Sequence, residues 1–201
     1  MISGSKIRID RWCRALLVAL ACTASSAWAF DLPELMAQLA KQKSGEARFN
    51  EQRFVRGLEG PLDSSGTLSF AAPDKLTRRT LTPRPESMVV DGNNLTLTRG
   101  SRTRTLTLDS MPELVGLVEA MRSTLSGDTA TLKRYFRSTV SGTPDRWTLD
   151  LLPIDDRLAA QLRSVRMTGR ASDVLGIEME FIGGDRSVMT IMPAAPARAA
   201  P

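Results

Sequence analysis

Runs in which apolar and polar residues alternate recur along most of this chain, and they constrain its fold more than any other feature. The stretch "SSGTLSFAAPDKLTRRT" (Ser64 to Thr80) shows the pattern. Leu68 and Phe70 fall on one side, Thr67 and Ser69 on the other, Ala72-Pro73 interrupts, and a second alternating run begins. A period of two marks a strand with one buried face. "GEARFNEQRFVRG" (Gly45 to Gly57) precedes it, and "SMVVDGNNLTLTRG" follows as a hairpin, with Asp91-Gly92 and Asn93-Asn94 supplying residues that accept positive φ. "SRTRTLTLD", "YFRSTVSG", "DRWTLDLLP", "SVRMTGRA", "VLGIEMEFIGG" and "RSVMTIMP" continue the series. About eleven strands result, and their short connections make them mostly antiparallel.

Helical periodicity is confined to four places. "FDLPELMAQLAKQKS" has Asp31 as N-cap, Pro33 in the first turn, and Leu32, Leu35, Met36 and Leu39 on one face. "MPELVGLVEAMRSTLSG" places Leu114, Val118 and Met121 on one side, joined by Leu117 and Leu125, and stops at Gly127. "DTATLKRYF" starts from an Asp128 cap, and "DDRLAAQL" reads as a short crossover. With no internal repeat and no linker, the expected architecture is α+β, mainly β: a single incomplete antiparallel β-barrel with helices covering its open concave side.

The first 29 residues stand apart. Lys6, Arg8, Arg11 and Arg14 form a basic segment, "ALLVALACTA" a short apolar core, and "AWA" (Ala27 to Ala29) a small-residue cleavage site. This predicts a secretory signal peptide cut after Ala29, a domain over 30–192, and a disordered Pro/Ala tail over 193–201. Cys22 follows a small residue, so a lipoprotein leader acylated at Cys22 is the alternative. The net charge of +5 includes +3 from the leader, which carries four basic residues and Asp10. The remaining chain is near +2, and its charge gives no indication of nucleic-acid binding.

Composition removes most catalytic chemistry. The chain has no histidine, and both cysteines, Cys13 and Cys22, lie in the leader. The usual zinc, copper and iron ligands are therefore missing, as are the bases of Ser-His-Asp and Cys-His sites. Asp155-Asp156 and Glu178/Glu180 read as a helix start and a solvated strand face. No phosphate-binding glycine motif is present. The expectation is a binding protein with no cofactor. A concentration of positive charge from Lys75 to Arg104 is read in two ways: a solvated outer strand face, or a docking face for an anionic membrane or acidic partner built on Arg78, Arg79, Arg102 and Arg104.

Several segments in order resemble the periplasmic outer-membrane lipoprotein carriers, the LolA-like family. "ARFNEQ" (Ala47 to Gln52) is similar to the family's Phe-x-Gln strand, and "GTLSFAAPDKL" (Gly66 to Leu76) to its Gly-x-Leu strand ending at proline. "PESMVVDGNNL" (Pro85 to Leu95) resembles the family's Asp-Gly hairpin, and "WTLDLLP" (Trp147 to Pro153) a later strand ending in proline. Where the family places a latch arginine before that first proline this chain has Ala72, and Leu76 and Arg78 replace an aromatic residue and a tryptophan. "LTLTRG" stands where a Trp-x-Tyr strand is usual.

The resemblance implies a monomeric periplasmic carrier. It would take the acyl chains of a lipoprotein or other acylated lipid from an inner-membrane donor transporter towards an outer-membrane acceptor. The expected cavity wall is Leu68 and Phe70 on one strand, and Met88, Val90 and Leu95 on the hairpin. Leu114, Val118 and Met121 would come from the helix, and Trp147, Met167, Met179 and Phe181 from the later strands. Sheltering a chain of about 16 carbons at roughly 0.8 kcal/mol per CH₂ is worth about 13 kcal/mol gross. Ordering and association costs reduce that towards a reversible capture. The alternatives are an outer-membrane acceptor acylated at Cys22 and a periplasmic lipid-sensing regulatory module.

Overall fold

A computed structural model describes residues 30–194, without the side chains of Pro112 and Glu113. The leader, Cys22 and the tail beyond 194 lie outside the described residues. Eleven strands form one antiparallel sheet: β1 (Ser44–Phe54), β2 (Leu62–Ala71), β3 (Lys75–Thr82), β4 (Glu86–Asp91), β5 (Asn94–Arg99), β6 (Arg102–Thr107), β7 (Phe136–Thr143), β8 (Arg146–Pro153), β9 (Leu162–Arg170), β10 (Asp173–Phe181) and β11 (Arg186–Pro193). β11 extends one residue past the boundary expected at 192. The spatial order is β6-β5-β4-β3-β2-β1-β11-β10-β9-β8-β7. The first strand is thus central, paired on one side with β2 and on the other with the last strand. β6 and β7 are the two free edges, so the sheet is a half-barrel and not a closed one.

The chain passes between those edges through a 3₁₀ turn (Leu108–Ser110), α2 (Pro112–Ser126) and α3 (Thr129–Tyr135). With α1 (Leu32–Leu39) and the one-turn α4 (Asp156–Ala159), these pack together on the concave side. Three of the four α-helices start from an aspartate cap. Asp31 accepts from the Glu34 amide at 3.0 Å, Asp128 from Thr131 at 3.0 Å and Asp155 from Leu158 at 2.9 Å. The hydrogen bonds from Thr131 hold the Asp128 carboxyl below its ordinary pKa. α2 stops at Gly127, whose φ is +78°. A Cβ there would lie 2.6 Å from Ala40 Cβ and 2.7 Å from the Met36 carbonyl, so glycine both ends α2 and lets it approach α1.

Cross-strand pairing fixes which side chains face inward, because directly opposed residues share a face. From Ala47, Phe49 and Glu51 on β1 the inward set runs to Leu68, Gly66 and Ser64 on β2, and to Pro193, Ile191 and Met189 on β11. The inward side chains bury themselves in two separate clusters. The larger joins all four helices to β1 and β7–β11, with Leu35, Leu132, Phe136, Trp147, Leu149 and Leu151 nearly inaccessible. The smaller holds Val90, Leu95, Leu108 and Val118 between β4–β5 and α2.

Candidate functional site

Between the two clusters the interior is not filled. A cavity of about 230 Å³ lies there, open at one side and walled by β1–β4, β8–β11 and the inner face of α2. Its surface is mainly apolar, and five methionines contribute to it: Met88, Met121, Met167, Met179 and Met189. Unbranched, polarizable side chains of this kind repack around differently shaped apolar guests. Polar groups gather at one mouth, where Gln42 Nε2 donates to Ser172 Oγ at 3.0 Å and to Asp173 Oδ1 at 3.1 Å.

One charged side chain, Arg78, also borders the cavity, with its partner Glu51 buried behind it. Arg78 on β3 reaches across β2 and donates from Nη2 to Glu51 Oε2 at 2.5 Å and to Ser64 Oγ at 3.5 Å. Glu51 also accepts from Ser64 Oγ at 3.1 Å and from Ser187 Oγ at 2.6 Å, and it is 8% exposed. The Phe49 ring lies beneath the guanidinium, 4.6 Å from its carbon. Burial pushes the Glu51 carboxyl up. The hydrogen bonds from Arg78 and Ser187, the Arg78 charge and the Ser64 bond outweigh it, and the group ends below its ordinary value.

Of the twelve expected wall residues, Leu68, Phe70, Met88, Val90, Val118, Met121, Met167 and Met179 line the cavity. Four do not. Leu95 is fully buried in the smaller cluster, with Leu114 packed against it, where α2 seals the hairpin. Trp147 is fully buried in the larger cluster, its indole N–H donating to the Ala171 carbonyl at 2.9 Å. Gln38 Nε2 from α1 donates to the same carbonyl. Phe181 packs at the sheet rim with the Arg53 guanidinium 5.9 Å from its ring. Wall residues absent from the expectation include Leu76, Leu117, Leu125, Ile177, Met189 and Ile191.

The expected docking arginines do not share one face. Arg78 is in the cavity wall. Arg79, its neighbour on the strand, is exposed on the convex face. Arg104 opposes Leu97 and Arg102 opposes Arg99, which puts both on the concave side of edge strand β6, where they are exposed. Among the described residues no group of histidine, cysteine and carboxylate side chains is placed to hold a metal ion.

A family model described as "Outer membrane lipoprotein carrier protein LolA-like" matches residues 24–201. No curated protein matches the chain. Similar solved structures include a LolA superfamily protein from Nitrosomonas europaea, 12% identical with a TM-score of 0.47, covering 85% of this chain and 95% of that one. The lipoprotein LppX from Mycobacterium tuberculosis is 10% identical with a TM-score of 0.38, covering 84% and 99%. LprF from Mycobacterium bovis is 10% identical with a TM-score of 0.31, covering 85% and 96%. At these scores the structural likenesses carry no functional argument.

Proposed function

The chain belongs to the LolA-like family of outer-membrane lipoprotein carriers, and from that premise we propose that it is a periplasmic carrier of acyl chains. It binds the chains of a lipoprotein or other acylated lipid in its cavity and moves them from an inner-membrane donor towards the outer membrane. It acts by binding, without catalysis. The observation that carries this reading is the unfilled, methionine-rich space between two cores. A chain folded only for stability would close such a space, because each lost contact weakens packing. At about 230 Å³ the space lies below the roughly 300 Å³ at which small-molecule sites usually begin. It suits one slim chain, and larger cargo requires α2 to lift.

The test is native mass spectrometry of protein taken from periplasm without detergent, before and after solvent extraction, with lipid analysis of the extract. A discrete added mass that extracts as an acylated lipid is the expected result. A clean apo mass, from protein that also ignores an apolar fluorescent probe, would overturn the reading.

A further inference from the structure

A guanidinium is out of place in the wall of a cavity meant for hydrocarbon alone, and Arg78 puts one there with its counter-charge, Glu51, buried behind it. Removing both charges from water is costly, and their attraction repays this only with further hydrogen bonds. Here the far side of the pair is well supplied. Glu51 is held by two serine hydroxyls, one of them from Ser187, itself 2% exposed. The near side is not. Arginine offers five N–H donors and no acceptor. Among the described residues every hydrogen bond of Arg78 leaves from Nη2. Nε and Nη1 are left over on a side chain that is 28% exposed, lines the cavity, and has its plane held against the Phe49 ring.

We propose that Arg78 is the polar receptor of this cavity, and that it takes a neutral hydrogen-bond acceptor, the carbonyl of an acyl ester or amide, on an otherwise apolar ligand. The leftover groups are donors, so the ligand atom facing them is an acceptor. Glu51 already balances the guanidinium. A ligand carboxylate would therefore leave one uncompensated negative charge in a poorly solvated site, and a carbonyl oxygen would not. The hydrocarbon part lies against the methionine wall. Glu51, Ser64 and Ser187 are positioning residues: they fix the guanidinium from behind and do not touch the ligand.

This deepens the carrier reading and rests on it. Three fluorescent probes of one chain length test it: a polyene hydrocarbon, the matching polyene fatty acid, and its methyl ester. The ester is expected to bind about tenfold tighter than the hydrocarbon, as one charge-assisted hydrogen bond provides, and tighter than the acid at neutral pH. In the double variant Arg78→Met with Glu51→Gln, which removes both charges together, hydrocarbon binding persists and the ester advantage falls to within about twofold.

An ester that binds no better than the hydrocarbon, an acid that binds tightest, or an advantage that survives in the double variant overturns the inference and leaves the carrier reading standing. Failure of all three probes overturns both. A measurement on the unmodified protein covers the case in which the double variant does not fold. The infrared carbonyl stretch of a ¹³C-labelled ester moves to lower frequency when bound, relative to the ester in alkane, and an unmoved band overturns the inference.

Discussion

Trp147 and Gly169 face each other across β8 and β9, and a Cβ on Gly169 would stand 2.1 Å from the indole Cζ2. The glycine is what lets the largest side chain of the core lie flat on the sheet. Gly169→Ala is expected to lower stability by about 2–3 kcal/mol through overpacking. Trp147 is the only tryptophan after residue 29, so its emission reports the change directly. A lower urea midpoint with red-shifted emission is the expected result.

Leu68 and Leu95 both face inward but serve different ends. Leu68 borders the cavity and Leu95 fills the smaller core beneath α2. Leu68→Glu places a charge where apolar cargo would lie, and affinity for an apolar fluorescent probe should fall at least about tenfold while the far-ultraviolet dichroism is kept. Leu95→Ala should instead cost about 3 kcal/mol of stability, read by urea unfolding.

The Glu51 carboxyl titrates below its ordinary value of 4.5 in the folded chain. It therefore contributes stability that is fully present above pH 4.5 and is lost as pH falls through the lower, folded value. Glu51→Gln should cost roughly 2 kcal/mol at pH 7, by leaving Arg78 without its counter-charge. The variant should also lose less stability than the wild type between pH 4.5 and pH 3. Chemical unfolding across that range measures both effects.

α2 is tied to the half-barrel by Arg122, whose Nη2 donates to the Gly92 carbonyl in the β4–β5 turn at 2.5 Å and whose Nη1 donates to Glu119 at 3.2 Å. The side chain is 10% exposed. Arg122→Met keeps the apolar stem and removes the tie. Amide hydrogen exchange in α2 should quicken several-fold, with α1 unchanged.

Much of this arrangement could be read from alternation alone, and the misses have a common cause. Parity along a strand says which face a residue takes, so Leu68, Phe70, Met88 and Met179 were found. It does not say how far along the strand the guest lies. Trp147 takes the same face as Leu149 and Leu151, yet it ends beneath α1, beside the Ala171 carbonyl it shares with Gln38. Leu95 and Leu114 belong to one small core at the helix–hairpin contact, which no local pattern encodes. Charge misled in the opposite direction. Arg78 follows Leu76 at an interval of two, and Glu51 follows Phe49 in the same way, so both pairs share the inner face. Arg78 reads as part of a solvated or docking face, and Glu51 carries no signal of its own, until the two are seen to meet across β2 from strands that are not adjacent.

The central place of β1 sets an order of events. β1 is the first strand along the chain and β11 the last described, yet Phe49 and Ile191 sit side by side in the finished sheet. Until β11 is in place, one edge of β1 has no neighbour, and neither the larger core nor the cavity beside it can close. The larger core thus closes only through a contact between strands far apart in the sequence, and such long-range pairing folds slowly. A chain in which β11 has not yet docked would carry an open strand edge beside exposed Phe49 and Ala47, the kind of surface that chaperones hold and that self-associates when they do not.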